Sequence, residues 1–441
     1  MDTAESSERT LLVNRLSDSD DSLKNEKKGL SVGLASVFIV GEMAGSGVLA
    51  LPKALAEAGW GGLVLLFVIC INTLYSVICL GRCWSILEER YEEYQDIKFR
   101  YPYPAIAYRA VGPKMRYIVS VCLQVTLMGV ATVFLLLSSQ LISSLASKLG
   151  VDFCFWILIL AVILCPLMWL GTPDDFWPAA VVALVTTVSA CILIVVDISM
   201  EQSASTSHKS PDIASFFLSY GTILFSFGGA STFPTFQNDM KDSKQFSKAA
   251  IAGFSVLLLL YVPVAVMGYK AYGDTLDTNV ILSLPESSVK VVIEILMALH
   301  LFFAFLLVIN SPAQELEECL KIPNSFGWQR IVLRTVMMLV IIFIGQSMPH
   351  FGKLLNLIGG STTAFTTSVF PCFFYLKLCS QEYTGWNKRT IPLWEKVYLI
   401  AVILFGLIGG SISTYSAIMD IIKADSFTPP CYVNITAASR H

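Results

Sequence analysis

Residues 31–62 read SVGLASVFIVGEMAGSGVLALPKALAEAGWGG, an apolar stretch interrupted by the Gly-Ser-Gly of residues 45–47 and followed by a proline. A second stretch has the same plan: residues 216–240 read FFLSYGTILFSFGGASTFPTFQNDM, with a glycine pair at 228–229 and then a proline. Glycine in a helix interior costs about 1 kcal/mol relative to alanine. Each stretch therefore predicts a helix that unwinds near its centre.

The chain around these stretches is strongly apolar. Of its 441 residues, 55% are hydrophobic and 14% are charged, with a mean hydropathy of +0.66, whereas a soluble domain carries about 25% charged residues. This composition predicts an all-α integral membrane protein. Runs long enough to cross a bilayer predict eleven spans, at 31–56, 62–85, 117–145, 152–171, 178–198, 213–236, 249–270, 288–316, 329–347, 352–377 and 394–422.

Several classes of protein are disfavoured by what the sequence lacks. The net charge of −3 comes without a basic stripe, so we expect no nucleic-acid partner. The sequence has no phosphate-binding Gly-x-x-x-x-Gly-Lys-Ser/Thr loop, and its four histidines have no metal-ligand spacing. We therefore expect no enzymatic activity, no metal and no cofactor. A secondary transporter, a channel or a transporter-like sensor remains.

The spans and the tails predict how the chain is organised. Most of the 30 Lys and Arg residues lie in connections that share one side with the N-terminus, so the positive-inside rule places the N-terminus in the cytoplasm. Eleven spans then place the C-terminus outside the cell or in a lumen, where the sequon at Asn434 predicts a glycoprotein. We expect the plasma membrane rather than a lysosome or vesicle. The predicted units are a cytoplasmic tail at 1–28, a transporter domain at 29–423, with repeats at about 31–198 and 213–377 and an extra helix at 394–422, and a tail at 424–441.

The two breaks fall in the first and sixth spans, and corresponding breaks in two halves indicate a transport site between inverted repeats. An unwound segment frees main-chain groups at the bilayer midplane, where they need a polar partner. N–H groups near Val48 suit a carboxylate, and the carbonyls of Ala44 and Phe227 suit an ammonium group. A zwitterionic amino acid has both groups. The alternative is that these glycines only let helices pack closely.

Three segments resemble the amino acid/auxin permease family: GSGVLALPKALAEAGWGG at 45–62, FGGASTFPTFQNDM at 227–240 and IGGSTTAFTTSVFPCFFYLKL at 358–378. The resemblance implies eleven spans, the inverted-repeat fold with broken helices 1 and 6, and amino acid import or vesicular loading. It also implies main-chain substrate recognition at Gly45, Ser46, Gly47, Gly228, Gly229 and Ser231. Some relatives carry Asn directly before the Gly-x-Gly, where this chain has Ala44, and this departure leaves the coupling ion open.

Two ionisable residues inside predicted spans are candidates for proton coupling. Glu42 shares a helical face with Gly45, and an intramembrane carboxyl is a functional hypothesis by default. The alternative is a structural carboxylic acid. His300 lies within the eighth span, where it either takes part in coupling or makes a structural hydrogen bond. Between Val289 and Asn310 there is no Ser or Thr to bind sodium, which favours H+ over Na+.

The sequence therefore predicts a secondary active transporter of small neutral amino acids, a proton symporter that works by alternating access in a lipid bilayer. An amino acid sensor (a transceptor) and a sodium-coupled transporter are the alternatives. Cys154 and Cys431 both fall near the outer face, and whether they form a disulfide is left open because geometry cannot be deduced from sequence.

Overall fold

The computed structural model describes residues 29–95, 101–170, 177–201, 207–208, 210–230, 232–323, 326–383 and 385–422. Within these ranges the fold is helical throughout, and the sole β-type pairing is one isolated bridge between Leu30 and Met240. The helices are α1 Val32–Met43, α2 Ser46–Ala58, α3 Gly61–Arg90, α4 Pro102–Ala110, α5 Pro113–Leu145, α6 Phe153–Trp169, α7 Trp177–Met200, α8 Ile213–Ser226, α9 Phe233–Asn238, α10 Phe246–Tyr272, α11 Val280–Ser283, α12 Ser288–Cys319, α13 Trp328–Ser347, α14 Phe351–Ile358, α15 Phe370–Ser380 and α16 Leu393–Ile421.

The helices have the length and composition of a multi-pass membrane protein. Seven described helices are long and apolar enough to cross a bilayer, and the bent pair α1 and α2 makes up to eight. Every predicted span overlaps helical structure, but α6 and α8 are shorter apolar helices. The multi-pass class is thus confirmed, while the count of eleven spans stays a prediction.

Both predicted breaks are present. The axes of α1 and α2 differ by 59°, and the chain unwinds between Met43 and Ser46. In the second stretch the helix ends at Ser226 and begins again at Phe233. Helix α2 packs against α8 and α10, and α10 also packs against α1. On another side α12 packs against α5 and α7, and α7 against α1, so the broken helices are held among long unbroken ones.

A third irregularity was not expected. The sequence predicts an ordinary helical span at 352–377, but the chain is π-helical over Gly359–Thr363 and Phe365–Val369, between α14 and α15. Close packing gives a physical reason, because a Cβ added to Gly360 would lie 2.5 Å from Ser413 Oγ, and a Cβ added to Gly359 would collide with the carbonyl of Gly221. A π-helical segment inside a helix is frequently found at a functional site.

The start of α1 is joined to the end of α9 by two main-chain hydrogen bonds. Leu30 N–H donates to Asp239 O at 2.8 Å, and Lys241 N–H donates to Leu30 O at 3.0 Å. Gly29 fits here because a Cβ would lie 2.8 Å from Asp239 O. The two broken helices are therefore connected on the side predicted to face the cytoplasm.

A buried ion cluster joins the end of α12 to α13. Glu317 Oε1 lies 2.6 Å from Arg334 Nε and Glu317 Oε2 lies 3.1 Å from Arg330 Nη2, with all three side chains buried. Arg334 Nη1 also donates to Met168 O at 2.5 Å. One carboxylate therefore balances two guanidinium groups.

We expect Glu317→Gln to lower the free energy of unfolding by about 3–5 kcal/mol, because it leaves two buried cations without a counter-charge. Thermal unfolding of the purified protein in detergent measures the effect. The matched control is Glu382→Gln, which removes a surface partner of Lys388 and is expected to leave the melting temperature unchanged. Equal melting temperatures for Glu317→Gln and the wild type would contradict this prediction.

Candidate functional site

A cavity lies where the two broken helices meet. It contains about 550 Å³ of space free of protein atoms, including its mouth. Both breaks contribute to its wall, together with α5, α12 and the π-helical segment. Its described lining residues are Glu42, Met43, Gly45, Ser46, Gly47, Thr126, Leu127, Val130, Phe134, Phe225, Gly228, Gly229, Ala230, Val308, Thr363, Thr366 and Thr367.

At the first break, three predicted residues line this cavity: Gly45, Ser46 and Gly47. Helix α2 begins here without a side-chain cap, so the N–H groups of its first turn remain to be satisfied. Ala44 is buried and does not line the cavity. No donor among the described residues reaches the Ala44 carbonyl.

The second break supplies Gly228 and Gly229 to the same wall. The Phe227 side chain lies away from the cavity, because its ring stacks on Phe254 and packs against Tyr261. Its carbonyl has no donor among the described residues. The Phe227 side chain is thus part of the core, and the residue can serve the site only through its main chain.

The glycines at the breaks are needed for close approach. A Cβ on Gly47 would lie 2.6 Å from Ser226 Cα, a backbone atom that cannot move aside independently. A Cβ on Gly229 would lie 2.9 Å from Met43 Cγ and 3.0 Å from Phe233 Cζ, which are side-chain atoms. The alternative interpretation, that these glycines allow close helix packing, is therefore also true, and the packing brings the two breaks to one cavity.

Three buried hydroxyl groups in the cavity wall have no hydrogen-bond partner among the described residues. They belong to Ser46, Thr363 and Thr367, each at most 2% exposed. A buried hydroxyl without a partner is costly, so this wall is suited to a polar ligand. Ser46 was expected from the sequence, whereas the threonines were missed. The hydroxyl-rich run after Gly359-Gly360, in the middle of an apolar span, is the signal that points to them.

Apart from Glu42, Thr126 and Thr366, the rest of the wall is apolar. Leu127, Val130 and Phe134 from α5 face the cavity, with Phe225 at the end of α8 and Val308 on α12. Among the described lining residues Glu42 is the only ionisable one. Glu42 is partly exposed, and no described residue forms an ion pair with it.

His300 lies behind the first break and does not line the cavity. Its ring is buried, with Nδ1 2.9 Å from Ala183 O and 2.8 Å from Thr187 Oγ1. A carbonyl can only accept, so Nδ1 carries a proton. Nε2 faces Gly45, where an added Cβ would be 3.0 Å away. His300 is thus near the site, but it holds a structural hydrogen bond.

Comparison with known proteins identifies the family. A family model for transmembrane amino acid transporter proteins matches residues 28–419. The chain belongs to this transporter family. Among curated relatives, the transporter is similar to amino acid transporter AVT1J of Arabidopsis thaliana, with 28% identity over 400 residues that cover 87% of this chain and 89% of the relative. The resemblance to the amino acid/auxin permease family is thereby confirmed.

Two solved structures have a fold similar to that of the transporter. MhsT, solved in complex with L-phenylalanine, gives a TM-score of 0.50 and 12% identity over 86% of this chain and 98% of that one. MHP1, a nucleobase-cation-symport-1 family transporter, gives a TM-score of 0.54 and 15% identity over 94% of this chain and 96% of that one. These neighbours are inverted-repeat transporters, which confirms the predicted fold class with its broken helices.

Some predicted positions of this transporter lie outside the described residues, namely Ser231 at the second break, Asn434 of the sequon and Cys431. Cys154 is disulfide-bonded. Ser231 was predicted to contribute to substrate recognition, and that assignment stays a prediction. The sequon at Asn434 likewise stays a prediction.

Proposed function

We propose that the chain is a secondary active transporter of small neutral amino acids, driven by protons and working by alternating access. The meeting of two helix breaks at one cavity carries the proposal. The uncapped start of α2 suits a carboxylate, and the carbonyls of Ala44 and Phe227 suit an ammonium group. The hydroxyls of Ser46 and Thr363 suit either group. An α-amino acid presents both charges, and MhsT, of similar fold, was solved with L-phenylalanine.

The apolar wall favours a neutral side chain. Leu127, Phe134 and Val308 offer contact area without a counter-charge. A charged side chain placed against them would lose its hydration and gain no partner. Size and shape, rather than an ion pair, therefore select the substrate.

Proton coupling is assigned to Glu42. Glu42 is the only ionisable residue among the described residues of the cavity wall. It is the second-last residue of α1, next to the first break, and no described cation pairs with it. Protonation removes the charge of Glu42 where the substrate binds, so proton binding and substrate binding affect each other directly. His300 is less suited because it does not line the cavity.

The proposal keeps the orientation predicted from charge distribution, with a cytoplasmic N-terminus, and it keeps the plasma membrane as the site of action. In this orientation substrate and protons enter together from the extracellular side. The uptake experiment therefore also tests from which side of the membrane protons drive uptake.

The test is uptake of a radiolabelled neutral amino acid into proteoliposomes containing the purified chain. We expect accumulation when the proton gradient is directed inward, and simple equilibration without a gradient. Accumulation that follows a sodium gradient and ignores pH would favour a sodium-coupled transporter. Saturable binding with no uptake under either gradient would favour a sensor.

Competition measures the charge selectivity of the same preparation. Against a labelled neutral amino acid, we expect unlabelled neutral competitors to have half-inhibitory concentrations at least about tenfold lower than arginine or glutamate, since a charged side chain would be desolvated without a partner. Arginine or glutamate as the strongest competitor would contradict a neutral-substrate site. Strong competition by arginine alone would indicate that Glu42 is ionised and pairs with the substrate.

A further inference from the structure

One residue that the sequence did not single out contacts both helix breaks. Tyr261 on α10 is fully buried, and its hydroxyl lies 2.8 Å from Met43 O and 3.0 Å from Ser226 O. Met43 is the last residue of α1 and Ser226 the last residue of α8. A single side chain thus contacts the two carbonyls at which the first and second breaks begin.

These carbonyls belong to the group that a helix end leaves without an intrahelical partner. Met43 O also accepts from Gly45 N–H at 2.9 Å. Ser226 O has no other donor among the described residues. Inside a membrane an unsatisfied carbonyl is costly, so the single hydroxyl proton of Tyr261, shared between the two carbonyls, stabilises the ends of α1 and α8 in their unwound geometry.

The tyrosine is also positioned to fix the distance between the two breaks. Its ring packs against Phe227 with centroids 5.4 Å apart, and Tyr261 does not line the cavity. Met43 and Gly47 do line it, and Gly47 packs closely against Ser226. A shift of either carbonyl relative to the other would therefore move main-chain groups that face the ligand.

We propose that Tyr261 is a positioning residue that sets the spacing of the two breaks, and through it the affinity for the main-chain groups of the substrate. This inference rests on the proposed function, since it assumes that the cavity holds an amino acid. Because Tyr261 touches neither the ligand space nor the apolar wall, its effect is the same for every substrate, whatever the side chain.

The test is Tyr261→Phe, which keeps the ring contacts and removes the hydroxyl. We expect KM to rise about tenfold, the equivalent of one lost hydrogen bond, while the maximal rate changes less than about twofold. The rise should be equal for three neutral amino acids of different size. A residue that served only the stability of the fold would lower the amount of active protein and the maximal rate, and would leave KM unchanged.

Tyr269→Phe is the matched control. Tyr269 lies about two turns further along α10 and is equally buried, but its ring packs against Trp60 and His208, away from both breaks. We expect a wild-type KM for this variant. An equal rise in KM for both variants, or a rise that depends on the substrate side chain, would overturn the proposal.

If Tyr261→Phe yields no folded protein, 3,5-difluorotyrosine at position 261 provides a second test. It keeps the shape and is a stronger hydrogen-bond donor, so KM is expected to fall, and an unchanged KM would overturn the proposal. The outcomes separate the two levels of inference. A wild type that transports no amino acid contradicts the proposed function, whereas a transporting wild type with an unaffected Tyr261→Phe variant contradicts the positioning role alone.

Discussion

Gly47→Val is expected to abolish amino acid uptake, with a loss of about 100-fold or more. The first atom of the new side chain would already lie 2.6 Å from Ser226 Cα and 2.7 Å from Ser226 Oγ. Because Ser226 ends α8 and its carbonyl is held by Tyr261, the helix cannot withdraw without separating the breaks. Initial uptake rates in proteoliposomes measure the loss.

The series around this variant separates the site from the fold. Gly47→Ala should already lose most uptake, since its Cβ meets the same backbone atom. Gly229→Val should also abolish uptake, whereas Gly229→Ala should lose less, because its Cβ meets side-chain atoms of Met43 and Phe233 rather than a backbone atom. Gly33→Val on α1 is the control: a Cβ there meets nothing within 4 Å, so uptake should be near normal. Full uptake by the Gly47→Val variant would show that the first break is not part of the substrate site.

Glu42→Gln is expected to lose accumulation against a gradient and to lose the dependence of uptake on pH. Glutamine has nearly the volume of a protonated carboxyl and cannot release a proton. The variant should still bind substrate and exchange labelled for unlabelled amino acid, because exchange requires no net proton movement. Counterflow and gradient-driven uptake on the same vesicles measure the two properties separately.

Two variants serve as controls for Glu42. His300→Asn keeps a donor for Ala183 O and removes the titratable ring, so it should retain pH-driven accumulation. Glu57→Gln changes a carboxyl on α2 that does not line the cavity, and it too should retain accumulation. Loss of pH dependence in His300→Asn alone would assign coupling to the histidine. Normal pH-driven accumulation by the Glu42→Gln variant would contradict the assignment of proton coupling to Glu42.

Features that break a local rule could be predicted from the sequence. Glycine pairs inside apolar runs contradict helix propensity, and both predicted breaks are present, between Met43 and Ser46 and between Ser226 and Phe233. A carboxyl within an apolar run contradicts hydropathy, and Glu42 lies in the cavity wall. Phe227 was identified as a site residue because it adjoins a break. Its side chain direction depends on Phe254 and Tyr261, which sequence spacing does not reveal.

Features that follow local rules were missed. Thr363 and Thr367 are ordinary residues for a membrane helix, and their place in the cavity wall depends on the π-helical turn that the close packing of Gly359 and Gly360 accompanies. Tyr261 is an aromatic residue in an apolar helix and has no sequence signature of function. Its role arises because α10 lies beside the ends of α1 and α8, a contact between segments far apart in the chain.

The pairing of Leu30 with the turn after α9 links the mechanics of the two broken helices. Two hydrogen bonds of about 1 kcal/mol each join the chain entering α1 to Asp239 and Lys241. The segment entering α1 and the turn after α9 therefore move together unless both bonds break. A displacement of the segment before α1 is consequently transmitted to α9 as well as to α1.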